Sequence, residues 1–79
     1  MNLYSWPIIG RWLRNRAEAQ GARNAGGLIR RGYGPEAVLA YANRCTAQAA
    51  QAADLYFYIG MAQEAADRLE WARGEGAKL

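Results

Sequence analysis

Residues 35–73 contain one proline, at their first position, and one glycine, Gly60. The other residues of this range are mainly Ala, Gln, Glu, Leu and Arg, which have high helix propensity. Pro35 suits the first position of a helix because its missing N–H would have no partner there, and Glu36 favours the positive end of the helix dipole. The pattern predicts one helix over about residues 35–73, with Gly74 as its left-handed cap.

A second helix is predicted over about residues 7–31. Pro7 suits its first position and Gly32 its C-terminal cap. Residues 32–35 then form a turn that is short enough to make the two helices antiparallel neighbours. The expected fold is all-α: a helical hairpin of one shorter and one longer helix, in a single domain over residues 1–79, because a chain of this length is too short for two.

The second half of the first predicted helix contains Gly21, Gly26 and Gly27. Each costs about 1 kcal/mol relative to alanine, so residues 21–27 are expected to bend this helix, with a complete break as the alternative. Small residues also let a second backbone approach closely. We interpret Ala17, Gly21 and Gly27 as packing positions rather than as a phosphate-binding loop, because no strand pattern precedes them.

The segment LYFYIG at residues 55–60 places five bulky side chains in a row, Leu55–Ile59, which we call the collar. Successive helix residues are about 100° apart, so the collar points in every direction around its helix. A hairpin covers only one of these directions, and monomers rarely expose a large apolar patch. The alternative is a monomer whose N-terminal aromatic residues fold over the collar.

Self-association is therefore predicted, most simply as a homodimer in which two hairpins form a four-helix bundle. Its interface is expected to contain the collar and three apolar residues that follow it. The predicted interface residues are Leu55, Tyr56, Phe57, Tyr58, Ile59, Met61, Leu69 and Trp71.

Enzyme chemistry is not expected from this composition. The chain has no histidine and one cysteine, Cys45, so the usual zinc and haem ligand sets are missing. Glu64 and Asp67 are interpreted as part of a solvated acidic face. We predict no catalytic residue, no metal site and no cofactor. A lone cysteine without a signal peptide favours a cytoplasmic setting, and no apolar run approaches the ~20 residues that span a membrane.

Positive charge is concentrated in the first half of the chain. Residues 1–34 hold six arginines and one glutamate, which gives +5, whereas residues 35–79 carry −2. Arg16, Arg23 and Arg30 are seven residues apart and share one helix face. Arginine suits phosphate contacts, so this stripe makes a nucleic-acid-binding module an alternative function. No aromatic residue is expected to be interleaved with the stripe, and no DNA- or RNA-binding motif is present.

The stretch YSWPIIGRWLRNR at residues 4–16 mixes Trp, Tyr, Ile and Arg. Trp, Tyr and Arg are enriched at the hot spots of protein interfaces. Interfacial membrane helices share this composition, but the arginines follow the apolar residues instead of forming an opposite face, so membrane contact is not expected. The predicted partner-binding residues are Trp6, Arg11, Trp12, Arg14, Arg16, Arg23 and Arg30.

The expected function follows from these features. Small size, this composition and the lack of catalytic groups are typical of helical proteins encoded by phages and mobile elements, many of which bind and block a host protein. We expect a non-enzymatic inhibitor or adaptor that acts by protein–protein binding. A nucleic-acid-binding module is the first alternative. The second is a structural subunit of a filament or virion, in which the collar makes non-closing contacts.

Overall fold

The computed structural model describes residues 3–5 and 7–78, and all regular structure in these ranges is helical. A short 3₁₀ helix, Leu3–Ser5, precedes three α-helices: α1 over Pro7–Arg30, α2 over Pro35–Gln48 and α3 over Ala52–Lys78. The all-α prediction is confirmed. The two-helix hairpin is not, because the segment predicted as one long helix forms two.

Helix α1 begins at Pro7 and is capped at Gly32, as predicted. Gly32 has a φ of 108°. The amides of Gly32 and Tyr33 donate to the carbonyls of Ile29 and Leu28, at 3.1 and 3.2 Å. This pair of bonds is a Schellman motif, which satisfies carbonyls left free at a helix end. The helix runs unbroken through residues 21–27, so the alternative of a break there is wrong.

A break at residues 49–51 separates α2 from α3, so the prediction of one continuous helix over residues 35–73 is wrong. Ala49 has extended backbone, with φ −67° and ψ 125°. Neither glycine nor proline marks this point in the sequence. The one local signal is Thr46, whose hydroxyl donates to the Ala42 carbonyl at 2.8 Å, a bond that tends to bend helices.

The larger cause of the break is tertiary packing. It lets α2 fold back along α3, where Val38 and Ala42 are buried against Met61 and Ala65. This burial of apolar surface offsets the few helical hydrogen bonds that residues 49–51 give up.

Helix α3 continues past Gly74, which does not cap it. Among the described residues Gly32 is the only glycine with positive φ, so the prediction for Gly74 is wrong. Glu75, Ala77 and Lys78 are good helix formers, and they let the helix extend through the two glycines near its end.

Helices α1 and α3 run parallel to each other. Three contacts pair positions whose numbers rise together and always differ by 42: Arg14 with Tyr56, Glu18 with Gly60, and Gly26 with Arg68. Helix α1 packs mainly on α3 and barely touches α2. The short connection at residues 49–51 makes α2 and α3 antiparallel neighbours. Helix α3 is therefore the central element, with α1 and α2 on different sides of it.

The parallel pair comes closest at Gly21 and Gly60. A Cβ added to Gly60 would overlap the backbone of Glu18, and one added to Gly21 would lie 2.9 Å from the Met61 amide nitrogen. Neither position has room for a side chain. The packing interpretation of Gly21 is confirmed, although its partner runs parallel instead of antiparallel. Gly27 differs, since a Cβ there would meet only the Arg30 side chain, at 3.9 Å.

The buried core is small and lies where the three helices meet. Its members are Ala25, Val38, Ala42, Met61 and Ala65, with Leu28, Ile29, Leu39, Phe57, Tyr58 and Ala62 packed against them. Met61 is the one large side chain among the described residues that is fully buried. Because most of the core is alanine, the helices must lie close together to exclude water, and this makes the contact at Gly21 and Gly60 critical.

We predict that Gly21→Ala lowers the free energy of unfolding by about 1–3 kcal/mol or more, because the new methyl group forces the α1 and α3 backbones apart. Gly27→Ala is the matched control in the same helix. It should raise stability by up to ~1 kcal/mol through helix propensity alone. Urea denaturation followed by circular dichroism measures both, and equal stabilities for the two variants would contradict the close contact.

Candidate functional site

One side of α1 carries five exposed residues, which define the outer face: Ile8, Trp12, Arg16, Arg23 and Arg30. At ~100° per residue these positions fall within about 80° of one another. The one acidic residue of α1, Glu18, is half-buried and its backbone faces Gly60 of α3. The outer face is therefore basic, with no carboxylate of its own helix to neutralise it.

The N-terminal part of the outer face is apolar and aromatic. Ile8 is 84% exposed and Trp12 is 57% exposed. The guanidinium of Arg16 lies 5.3 Å from the centre of the Trp12 ring, a cation–π contact worth about 0.5–1 kcal/mol at an exposed site. Trp12 thus adds an aromatic ring at the N-terminal end of the arginine stripe, while no aromatic residue lies between Arg16 and Arg30. The i, i+4 spacing of residues 12 and 16 was the sequence signal for this pair.

The remaining predicted partner-binding residues lie in different places. Arg11 is exposed on the flank of the outer face. Arg14 is half-buried, donates from Nη1 to the Tyr4 carbonyl at 2.9 Å, and lies 5.8 Å from the centre of the Tyr56 ring. It therefore holds the N-terminal segment against α3. Trp6 lies outside the described residues.

The collar is surrounded by the chain's own elements. Every residue of Leu55–Ile59 is half-buried. The Tyr56 ring stacks on Tyr4 at 5.8 Å, and the Tyr58 ring meets Tyr41 of α2 edge-on at 6.2 Å. The premise that no third helix covers the collar is wrong, because the break at residues 49–51 turns α2 into that helix. An N-terminal aromatic residue, Tyr4, also covers part of it, as the monomer alternative expected.

The predicted dimer-interface residues beyond the collar differ in their exposure to solvent. Met61 is only 1% exposed and belongs to the core, so it offers no surface to a second copy. Leu69 is half-buried and lines a shallow cavity with Leu39 of α2. Trp71 is 70% exposed and is the member of the set that projects most clearly into solvent.

A cavity of about 430 Å³ lies beside Arg16, between α1 and the start of α3. Apolar side chains form most of its wall, and Arg16, Gln20 and Asp54 supply polar groups at its edge. Its apolar lining residues include Tyr4, Leu13, Ala17 and Phe57. Arg16 thus borders both the projecting Trp12 ring and a concave apolar surface, which sequence reasoning did not foresee because the cavity depends on the parallel pairing of α1 with α3.

Cys45 lies next to Tyr41 on α2. Hydrogen bonding to the side chains of Cys45 and Tyr58 raises the pKa of Tyr41 above its usual value. A phenol with a raised pKa stays neutral at physiological pH, so this cluster adds no charge to the surface. Cys45 is half-buried and forms no disulfide.

The described residues hold no group of three or more His, Cys, Asp or Glu side chains placed to bind a metal ion. In the same part of the chain, no helix combines the length and the apolar character needed to cross a membrane.

No protein-family model, curated protein sequence or solved structure significantly matches this chain.

We predict that Trp12→Ala has little effect on the free energy of unfolding, whereas Phe57→Ala lowers it. Trp12 is more than half exposed, so its loss should change the free energy of unfolding by no more than ~1 kcal/mol. Phe57 packs against the core and against α1, so its truncation should cost about 3 kcal/mol. Chemical denaturation of the two variants measures both values. A large loss with Trp12→Ala would show that this residue supports the fold and is not a free surface group.

Proposed function

We propose that this chain is a non-enzymatic binding protein, an inhibitor or adaptor, that docks another protein through the N-terminal half of the outer face of α1. The single observation that carries the proposal is the exposed group of Ile8, Trp12 and Arg16, in which the arginine stacks on the tryptophan. Trp and Arg are the residue types that most often dominate the energy of protein interfaces.

The exposure of these residues is costly for an isolated chain. Burial of apolar surface is worth about 25 cal/mol per Å², and the chain half-buries Tyr4, Tyr56, Phe57 and Tyr58 while it leaves most of Ile8 and Trp12 in solvent. An exposed apolar group rimmed by charged residues is characteristic of a binding surface. The cavity beside Arg16 supports the same reading, because a side chain of the partner can fill it while Trp12 enters a pocket of the partner.

A nucleic-acid-binding module remains the second candidate, and the exposure of Arg16, Arg23 and Arg30 favours it. One observation favours a protein partner instead: the exposed apolar residues Ile8 and Trp12 occupy the same face as the arginines.

Trp12→Ala should abolish partner binding. The immobilised wild-type chain, Trp12→Ala and the control Gln63→Ala, which changes an exposed residue of α3, are incubated with extract of the source cells, and bound proteins are quantified by mass spectrometry. The expected result is a protein retained by the wild type and by Gln63→Ala and depleted at least tenfold with Trp12→Ala, since a hot-spot residue contributes 2 kcal/mol or more. Calorimetry with the purified partner must then reproduce this difference. Equal retention by all three would refute the proposal.

Homodimer formation remains a prediction, although most of its predicted interface residues are at least half-buried within one chain. The collar is partly covered within one chain, so Trp71 is the one exposed residue of the predicted dimer interface. We expect Trp71→Ala to shift any dimer towards monomer, and light scattering after size exclusion over a range of concentrations measures this. A dimer whose dissociation constant does not change in Trp71→Ala would place the contact elsewhere on the chain.

A further inference from the structure

Two guanidinium groups converge above Gly26. A Cβ at this position would lie 3.1 Å from Nη2 of Arg68 and 3.4 Å from Nη1 of Arg30. The first arginine comes from α3 and the second from α1, and only the parallel pairing of the helices brings them together. Gly26 is the residue over which they meet, and its missing side chain leaves the space that both groups use.

Arg68 is held in place by Glu64. The Arg68 Nε donates to Oε2 of Glu64 at 2.6 Å, and both side chains are partly buried. This bond uses one edge of the guanidinium and directs its Nη2 nitrogen towards Gly26 and Arg30. Arginine presents its donors in a planar fork that suits an oxyanion, so Glu64 orients a donor group that is otherwise free to bind.

Arg30 brings a second positive charge to the same place without a carboxylate of its own. Among the described residues the Glu64–Arg68 contact is the one ion pair. Two like charges held close together repel each other, and a shared anion removes this cost. Charge-assisted hydrogen bonds from two guanidiniums to one oxyanion are about twice as strong as bonds between neutral groups.

We propose that Arg30 and Arg68 form a clamp for one carboxylate group of the protein partner. This inference rests on the proposed function and adds the chemistry of a second contact. Trp12 and Arg30 lie 18 residues apart on the outer face, or about 27 Å at ~1.5 Å per residue. An apolar anchor at one end and a charged anchor at the other fit a partner helix of five turns that carries an acidic residue opposite Gly26.

A carboxylate fits this clamp better than a phosphate chain. Glu64 contacts Arg68, and Asp67 lines the same shallow surface cavity as Arg68 and Trp71. The guanidiniums of Arg30 and Arg68 carry +2, and the Glu64 carboxylate reduces this to +1, which attracts one negative charge. Asp67 lies beside Arg68 and opposes a chain of successive phosphates. We therefore expect the clamp to prefer a carboxylate to a phosphate chain.

The experiment is a titration of the isotopically labelled chain at low salt with a hexaglutamate peptide and, separately, with a six-residue oligothymidylate. The Nε–Hε signals of the arginines are followed by NMR. We expect hexaglutamate to shift Arg30 and Arg68 in a saturable manner, with smaller changes at Arg31, which is exposed next to the clamp. The oligonucleotide should bind more weakly than the peptide.

Two matched pairs of variants sharpen this test. Arg30→Gln should weaken hexaglutamate binding at least about fivefold, whereas Arg31→Gln removes the same charge and should weaken it less than twofold. Gly26→Ala displaces the guanidiniums and should act like Arg30→Gln, whereas Gly27→Ala should have little effect, because a Cβ there is in ordinary contact with Arg30. If circular dichroism shows that Gly26→Ala does not fold, the comparison of Arg30→Gln with Arg31→Gln tests the clamp.

The clamp is overturned by equal effects of Arg30→Gln and Arg31→Gln, by the absence of saturable shifts, or by tighter binding of the oligonucleotide, which would indicate a nucleic-acid face. These results are independent of the Trp12 experiment. If Trp12→Ala abolishes partner capture and Arg30→Gln leaves the partner's affinity unchanged, the clamp fails and the proposed function stands. If Trp12→Ala has no effect while the titration succeeds, the proposed docking surface fails instead.

Discussion

The backbones of α1 and α3 lie in direct contact where Gly21 faces Phe57 and Met61 and where Gly60 faces Glu18, with no space for a side chain at either glycine. Two parallel helices in one chain need a segment that returns from the end of the first to the start of the second, and α2 is that segment. The break at residues 49–51 follows from this requirement, because a helix that continued past Gln48 would run antiparallel to α1 and could not place Gly60 beside Glu18. The core of alanines and Met61 is sufficient only because the helices are this close.

Local signals predicted several features of the fold. Pro7, Gly32 and Pro35 mark helix ends by conformational preferences that do not depend on the rest of the chain, and the all-helical class follows from composition. The break was not predictable in the same way. Its residues, Ala49, Ala50 and Gln51, favour a helix, and tertiary packing overrides that preference. The parallel register was missed for the same reason, since a hairpin is the simplest product of one short turn.

Part of the candidate site follows from local periodicity, and part depends on tertiary packing. Trp12, Arg16, Arg23 and Arg30 share a face by helix periodicity alone, so the sequence was enough to group them. Arg14 resembles them in sequence but turns inwards to Tyr4 and Tyr56, because the 3₁₀ helix folds over the start of α3. The meeting of Arg30 with Arg68 could not be read from the sequence, since it depends on a pairing between residues far apart in the chain.

The order in which the elements are synthesised gives the parallel pairing a kinetic consequence. Contacts between α1 and α3 join residues 42 positions apart, whereas α2 and α3 are linked by a short connection. Loop closure favours the nearer pair, so α2 and α3 associate first and α1 docks last. During translation α1 leaves the ribosome well before its partner helix exists. Throughout this interval the glycine-lined side of α1 is uncovered. Because the contacts between α1 and α3 are far apart in sequence, we expect the docking of α1 to be the slow step of folding.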